Sequence, residues 1–118
     1  MKVLIGKKVL WEKIKPANSV VKRFVGLLNT PVLDPDEGLL IWPCRQVHTF
    51  HMKYAIDVVF IDKYMRVLDV ITLEPGIIGP TFKKAHYVLE VTAGQGRLYG
   101  IRPADVLVLE DKVFAKNK

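Results

Sequence analysis

The chain contains a single cysteine, Cys44, so no disulfide can form within it and nothing indicates an oxidising compartment. No apolar run approaches the roughly 20 residues that a membrane-spanning helix needs. At the N-terminus, the apolar run over residues 3–5 is interrupted by Gly6 and two lysines, which makes it too short for the core of a signal peptide. These absences predict a cytoplasmic protein.

Positive charge is in excess but is not concentrated in one stretch. The net charge is +6, and the basic residues occur in short clusters such as Lys7-Lys8, Lys22-Arg23 and Lys83-Lys84. No basic stripe alternates with aromatic residues, the pattern expected of a nucleic-acid-binding surface. The charge therefore predicts a solvated surface and argues against nucleic acid as a partner.

The composition is that of one globular domain. The chain has 118 residues, of which 50% are hydrophobic and 25% are charged. A chain of this length buries about two-thirds of the surface that its unfolded form exposes, so it needs neither a metal nor disulfides to fold. Without repeats, linkers or low-complexity tracts, residues 1–118 are predicted to form a single domain.

Short apolar runs between turn-forming residues predict a mainly β protein with some α-helix. The predicted strands cover residues 8–14, 39–42, 58–61, 67–71, 87–91 and 106–109. The third and fourth of them are expected to form a hairpin, and Pro16 is expected to end the first because proline cannot donate to a strand ladder. Helical spacing over residues 20–28, after the N-cap candidates Asn18 and Ser19, predicts one N-terminal helix. Together these elements predict a compact, β-barrel-like sheet of about six strands.

Residues 44–57 contain an unusual concentration of metal-ligating and nucleophilic side chains. Cys44, His48 and His51 are possible zinc ligands, but they share a face only in a helix, which Pro43 disfavours, and no second ligand pair follows. A nucleophilic Cys44 would need His48 within hydrogen-bond reach as its base, which a sequence cannot establish. We therefore predict neither a metal nor a cofactor.

Two further interpretations of residues 44–57 remain. In one, His48, Thr49, Met52 and Asp57 line a ligand pocket; in the other, the same side chains satisfy backbone groups, fill the core and cap the following strand. Residue types alone favour the structural interpretation. Our leading functional hypothesis is nevertheless a non-catalytic binding module with a groove at residues 44–57, taking an unknown small molecule or peptide.

Glu90 is the other unusual residue, because it lies within an apolar strand. Strand alternation places it on the same face as Val88. The simpler interpretation is a solvent-facing side chain, and the alternative is a buried carboxylate with a cationic partner such as Arg97, Arg102 or His48. Glu90 therefore joins the tentative ligand-binding residues. The alternative function is a hydrolytic enzyme that uses His48 with Asp57 or Glu90, with or without a metal.

Several segments together carry a resemblance to a known family. They are Arg23–Leu28, Gly38–Leu40, Val47–Met52, Ile56–Asp62, Val88–Glu90, Ala93-Gly94 and Gly100–Asp105. In these segments the sequence resembles the DUF192 family, a domain of unknown function, over nearly the whole chain. The resemblance implies a compact β-rich fold and brings no established reaction.

This sequence departs from the family pattern at three places. His51 stands at a position that is usually small or apolar, so it is not treated as a family residue. Tyr64-Met65 occupies a turn that usually carries a glycine, and Ala104 stands where the family commonly has glycine before Asp105.

Overall fold

The strands fall into two sheets. The computed structural model describes residues 1–17 and 33–111. Its elements, in chain order, are β1 (Lys2–Ile5), β2 (Lys8–Trp11), β3 (Lys13–Ala17), β4 (Glu37–Ile41), β5 (Ile56–Asp62), β6 (Val67–Leu73), β7 (Ala85–Thr92), the short helix α1 (Gln95–Leu98) and β8 (Val108–Glu110).

The larger sheet has five strands in the order β3-β4-β7-β5-β6. Strand β3 is parallel to β4, and every other neighbouring pair in this sheet is antiparallel. Strands β5 and β6 form the predicted hairpin. The smaller sheet is antiparallel, in the order β2-β1-β8.

Both faces of the five-stranded sheet are buried. On β7, Leu89 and Val91 point to the face that packs against the three-stranded sheet, where they share a cluster with Trp11 and Leu107. We call this face A. Val88 belongs to a second cluster on the opposite face, which we call face B. This double burial explains why Val58–Ile61 is an uninterrupted apolar run, because neither side of β5 faces water.

Face B is covered by the connection between β4 and β5. Val47 is buried in the second cluster, and Cys44, Met52 and Tyr54 pack against it. Phe82, from the connection between β6 and β7, also contacts this cluster and lies 4.2 Å from the Phe60 ring, centroid to centroid. The segment at residues 44–57 therefore contributes part of the core as well as surface.

The prediction of a mainly β fold is confirmed, but the prediction of one barrel-like sheet of about six strands is wrong. The described ranges contain eight strands in two separate sheets, with no closed barrel. The count was low because residues 2–5 form a strand and because the predicted strand 8–14 divides at Glu12 into β2 and β3. These two strands then join different sheets. The predicted helix over residues 20–28 and its cap lie outside the described residues.

The expectation that Pro16 ends its strand is also wrong. It lies inside β3 and is aligned with Leu40 of β4. Proline is tolerated there because β3 is at the edge of the sheet, where only one side of the strand needs ladder hydrogen bonds.

All three departures from the family pattern include a left-handed backbone position, and two of them stand where the family usually has glycine. His51 has φ 65°, Met65 has φ 67° and Ala104 has φ 77°, a region that costs residues with a Cβ about 1–2 kcal/mol. Glycine adopts these angles without a steric cost. The chain thus carries local backbone strain where the resemblance implies glycine.

We predict that Ala104→Gly stabilises the protein. Ala104 is exposed, so the change removes the φ strain without removing core contacts, and part of the gain is offset by the larger entropy of the unfolded chain. The expected net gain is up to about 1 kcal/mol in the free energy of unfolding, measured by urea denaturation.

Gly100→Ala is the matched variant. Gly100 has φ 61°, and an added Cβ would meet no atom within 4 Å, so backbone strain alone should destabilise the protein by about 1 kcal/mol. A loss of stability in Ala104→Gly would contradict the strain assignment.

Candidate functional site

Thr49 joins two loops on the face B side of the molecule. Its buried hydroxyl donates to the Glu74 carbonyl at 2.6 Å and accepts from the Ile77 N–H at 2.9 Å. Its own backbone N–H donates to the Ile77 carbonyl at 2.8 Å, and the Gly76 N–H donates to the Thr49 carbonyl at 2.9 Å. Thr49 therefore satisfies backbone groups of the loop that follows β6.

His48 and Met52 flank this junction in different environments. His48 is exposed, its Nδ1 accepts from the Phe50 N–H at 3.3 Å, and its ring stacks on Phe50 with 5.0 Å between centroids. Its backbone forms an isolated bridge with Ile78. Met52 is half-buried and packs against the face B cluster. Of these two predicted ligand-binding residues, His48 is the more exposed to solvent.

Asp57 is buried on face A and is fully engaged in hydrogen bonds. One carboxylate oxygen accepts from the Thr72 hydroxyl at 2.6 Å, and the other accepts from the Gly96 N–H at 2.9 Å. A side chain at position 96 would have to displace its neighbours, since a Cβ there would lie 2.6 Å from Val70 Cγ1. Asp57 thereby attaches α1 to the sheet.

Glu90 lies on the opposite face of the same sheet. It is aligned with Leu39 and Val58, both in the face B cluster, and only 4% of its surface is exposed. Its Oε2 has no hydrogen-bond partner among residues 1–17 and 33–111. Burial raises the pKa of Glu90 from 4.5 to about 7.

Tyr54 and Glu37 share the electrostatic environment of Glu90. Burial, followed by the negative charges of Glu90 and Glu37, raises the pKa of the Tyr54 hydroxyl. Glu37 is on the same face as Glu90, because strand alternation from Leu39 returns it to face B. A buried carboxyl and a tyrosine therefore lie close together at this end of the sheet.

The predicted site residues are thus divided between environments. Asp57 and Glu90 are on opposite faces of one sheet, because Glu90 is aligned with Val58 and neighbouring strand residues alternate. In the described part of the chain, no hydrogen bond or ion pair joins His48 to either carboxylate. A ligand-binding role for these residues stays a prediction.

The side chains considered for zinc do not form a compact ligand group. Within the described ranges, the one group of three side chains with ligand atoms within 4.8 Å of one another is Asp34, Asp36 and Glu37. Asp36 also forms an exposed ion pair with Lys13, at 3.8 Å.

A basic cleft lies at the end of the sheet where β5 finishes and β7 starts. Its volume is about 430 Å³. Basic side chains predominate in its lining, which consists of Arg45, Asp62, Lys63, Tyr64, Arg66, Lys83, Lys84, Ala85 and His86. Since Asp62 at the end of β5 is aligned with Ala85 at the start of β7, the β5–β6 turn is brought beside the lysine pair. We call this feature the basic cleft.

Asp62 organises one wall of the basic cleft. Its Oδ1 accepts from the backbone N–H groups of Tyr64 and Arg66, at 2.8 and 2.9 Å, and its Oδ2 accepts from Arg66 Nε at 3.2 Å. Partial burial opposes ionisation, but these N–H groups and the Arg66 guanidinium outweigh it and lower the pKa of Asp62. An ionised Asp62 therefore fixes the turn and the direction of Arg66.

Two of the cations lie over the ring of Tyr64. Its side chain is 62% exposed, and Lys63 Nζ and Arg66 Cζ each lie 5.2 Å from the ring centroid. This distance is within the range of cation–π attraction. The tyrosine thus lies beside two of the positive charges that line the cleft.

Two backbone hydrogen bonds bring Arg45 into the lining of the cleft. The Phe82 N–H donates to the Arg45 carbonyl and the Cys44 N–H donates to the His86 carbonyl, both at 3.0 Å. These contacts hold Arg45 beside the segment that contains Lys83 and Lys84.

The cleft was not foreseen from the sequence, although parts of its signal were present. The Lys83-Lys84 cluster and the turn at Asp62-Lys63 are both visible in the sequence. What the sequence could not show is the β5–β7 register, which joins them to Arg45. The predicted groove at residues 44–57 coincides with the cleft at Arg45 alone.

Fold and site together define a mostly β, two-sheet domain with a basic cleft at one end of its larger sheet. No helix in the described ranges is long and apolar enough to cross a membrane.

Comparison with known proteins gives the family. The chain matches the DUF192 family, described as "Uncharacterized ACR", over residues 2–109, and it belongs to that family. It is 33% identical to a UPF0127 protein of Pyrococcus abyssi over 107 residues, which cover 85% of this chain and 89% of the relative. It is 35% identical to a UPF0127 protein of Pyrococcus horikoshii over 96 residues, covering 75% of this chain and 81% of the relative.

A solved structure shares the fold. A protein of unknown function from Novosphingobium aromaticivorans superimposes with a TM-score of 0.72 at 19% identity, covering 81% of this chain and 74% of that one. The family match over residues 2–109 confirms the resemblance to DUF192.

The burial of Glu90 predicts how stability depends on pH. The unfolded chain releases this proton near pH 4.5, whereas the folded protein keeps it to about pH 7. The folded state therefore binds more protons in this interval, so its stability falls as pH rises from about 4.5 to 7 and levels off above. The contribution lost is on the order of 3 kcal/mol.

Glu90→Gln should remove this fall in stability with rising pH. The free energy of unfolding of the variant should therefore exceed that of the wild type by the largest amount at pH 8. Denaturant unfolding between pH 5 and 8 measures the effect. Glu110→Gln, at an exposed position of β8, is the control and should follow the wild type. Parallel curves for all three proteins would contradict the assignment of Glu90 as a buried acid.

Proposed function

We propose that this domain is a binding module for an anionic ligand and that the basic cleft is its binding site. The observation that carries the proposal is the charge of the lining: Arg45, Lys63, Arg66, Lys83 and Lys84 converge there, and Asp62 is the only acid among the described lining residues. Such a concentration of one sign in a concave site attracts the opposite charge.

The charge in the cleft is largely unneutralised. Asp62 is committed to Arg66, and no carboxylate in the described part of the chain is within ion-pair distance of Arg45, Lys63, Lys83 or Lys84. Like charges held close together repel one another, and a bound anion relieves that repulsion. Binding of an anion therefore stabilises the site electrostatically.

The cleft is also prearranged for binding. Asp62 holds the turn through three hydrogen bonds, and Tyr64 attracts two of the cations to its ring. Ordering such side chains in advance lowers the entropy cost of binding. A volume of about 430 Å³ falls within the range of small-molecule sites.

A binding role agrees with the contacts of the polar core residues better than hydrolysis does. Both oxygens of Asp57 accept hydrogen bonds that attach α1 and β6, so the carboxylate contributes to the fold. His48 Nδ1 accepts from the Phe50 N–H. A hydrolytic pair of His48 with Asp57 or Glu90 has no hydrogen bond in the described residues to support it.

Removing charge from one wall of the cleft should weaken anion binding. We expect the double variant Lys83→Ala/Lys84→Ala to bind pyrophosphate about tenfold more weakly than the wild type, because each exposed ion pair contributes up to about 1 kcal/mol. Isothermal titration calorimetry in a phosphate-free buffer of low ionic strength measures this affinity.

The control is Lys7→Ala/Lys53→Ala, which removes the same charge from exposed positions outside the cleft. This variant should bind pyrophosphate as the wild type does. Equal weakening in the two double variants, or no binding to the wild type, would refute the proposed site.

A further inference from the structure

We propose that the basic cleft takes a ligand carrying several linked phosphate groups, an oligophosphate. This inference rests on the proposed function and narrows it to a chemical class. Three observations support it: the cations come from separate segments of the chain, the aromatic rings of the cleft are already in contact with other groups, and arginine and lysine are both good hydrogen-bond donors to phosphate.

The cations come from three separate segments of the chain. Lys63 and Arg66 belong to the β5–β6 turn, Lys83 and Lys84 precede β7, and Arg45 follows β4. These side chains line a volume of about 430 Å³, which is more than one inorganic phosphate occupies. A linear chain of phosphate groups could contact more than one of these segments at once.

The donor types suit phosphate. Arginine presents a planar fork of N–H groups that matches phosphate oxygens, and lysine binds phosphate as a mobile point charge. Arg66 donates its Nε to Asp62, which sets the plane of its guanidinium before a ligand arrives. The mixture of two arginines and three lysines provides both kinds of donor.

The aromatic groups of the cleft favour a phosphate chain over a nucleic-acid strand. Single-stranded nucleic acids bind by stacking their bases on free aromatic faces. Tyr64 is instead associated with the cations of Lys63 and Arg66, and the His86 and Tyr87 rings are nearly perpendicular, with their centroids 4.7 Å apart. Tyr64 and His86 are the aromatic side chains of the lining.

The test is a titration series at fixed ionic strength with orthophosphate, pyrophosphate and tripolyphosphate. Each added phosphate that reaches another cation forms new charge-assisted hydrogen bonds, so tripolyphosphate should bind at least about tenfold more tightly than orthophosphate. Lys83→Ala/Lys84→Ala should reduce this ratio, and Lys7→Ala/Lys53→Ala should preserve it.

Titrations with three further ligands test whether the cleft recognises a free phosphate chain, a nucleotide or anions in general. ATP binding as tightly as tripolyphosphate would show that the chain alone is recognised, and tighter ATP binding would add recognition of the nucleoside; both results support the inference. Citrate binding as tightly as pyrophosphate, or an oligothymidylate binding more tightly than tripolyphosphate, would overturn it.

The failure of this inference is distinguishable from failure of the proposed function. If orthophosphate and tripolyphosphate bind equally and the cleft variant weakens both, the cleft is an anion site but not an oligophosphate site. If the cleft variant weakens neither, both proposals fall.

Discussion

Strand β7 is the element on which the rest of the structure depends, because both of its edges are paired and both of its faces are buried. It lies between β4 and β5, and its side chains enter the clusters on faces A and B alternately. A one-residue slip would exchange those faces and move Glu90 toward the inter-sheet cluster. The register of this strand is therefore strongly specified by burial.

The same register creates the basic cleft. Antiparallel pairing of β5 with β7 aligns Asp62 with Ala85, so the turn after β5 and the segment before β7 must lie side by side. Arg45 reaches this place through the hydrogen bonds that link residues 44–45 to residues 82–86. Charges that are dispersed along the sequence are thus concentrated by strand pairing.

Much of the fold was predictable because its signals are local. The hairpin of β5 and β6 and the strand containing Glu90 both follow from apolar runs and turn residues. The division into two sheets was not predictable, because it depends on which distant strands pair. Pro16 shows the same limit. Proline predicts the end of a strand in general, but it is tolerated inside β3 because β3 is an edge strand.

The candidate site was predictable only in part, for a related reason. Residue types drew attention to His48, Thr49 and Asp57, and the structure shows that Thr49 and Asp57 form hydrogen bonds that connect loops and strands. For Glu90, the sequence left open a solvent-facing side chain or a buried carboxylate with a cationic partner. The structure buries Glu90, and no cation among the described residues forms an ion pair with it. The cleft depends on contacts between Arg45, the turn after β5 and the lysine pair. These contacts join distant parts of the chain, so no local sequence pattern predicts them.

The central claim is that strand pairing builds one localised anion site. The most direct measurement is the change in backbone amide chemical shifts when ¹⁵N-labelled protein is titrated with tripolyphosphate. The account predicts that the changes concentrate at residues 62–66, at residues 83–86 and at Arg45. Changes spread over all lysine-bearing surfaces, or concentrated around His48 and Phe50, would contradict it.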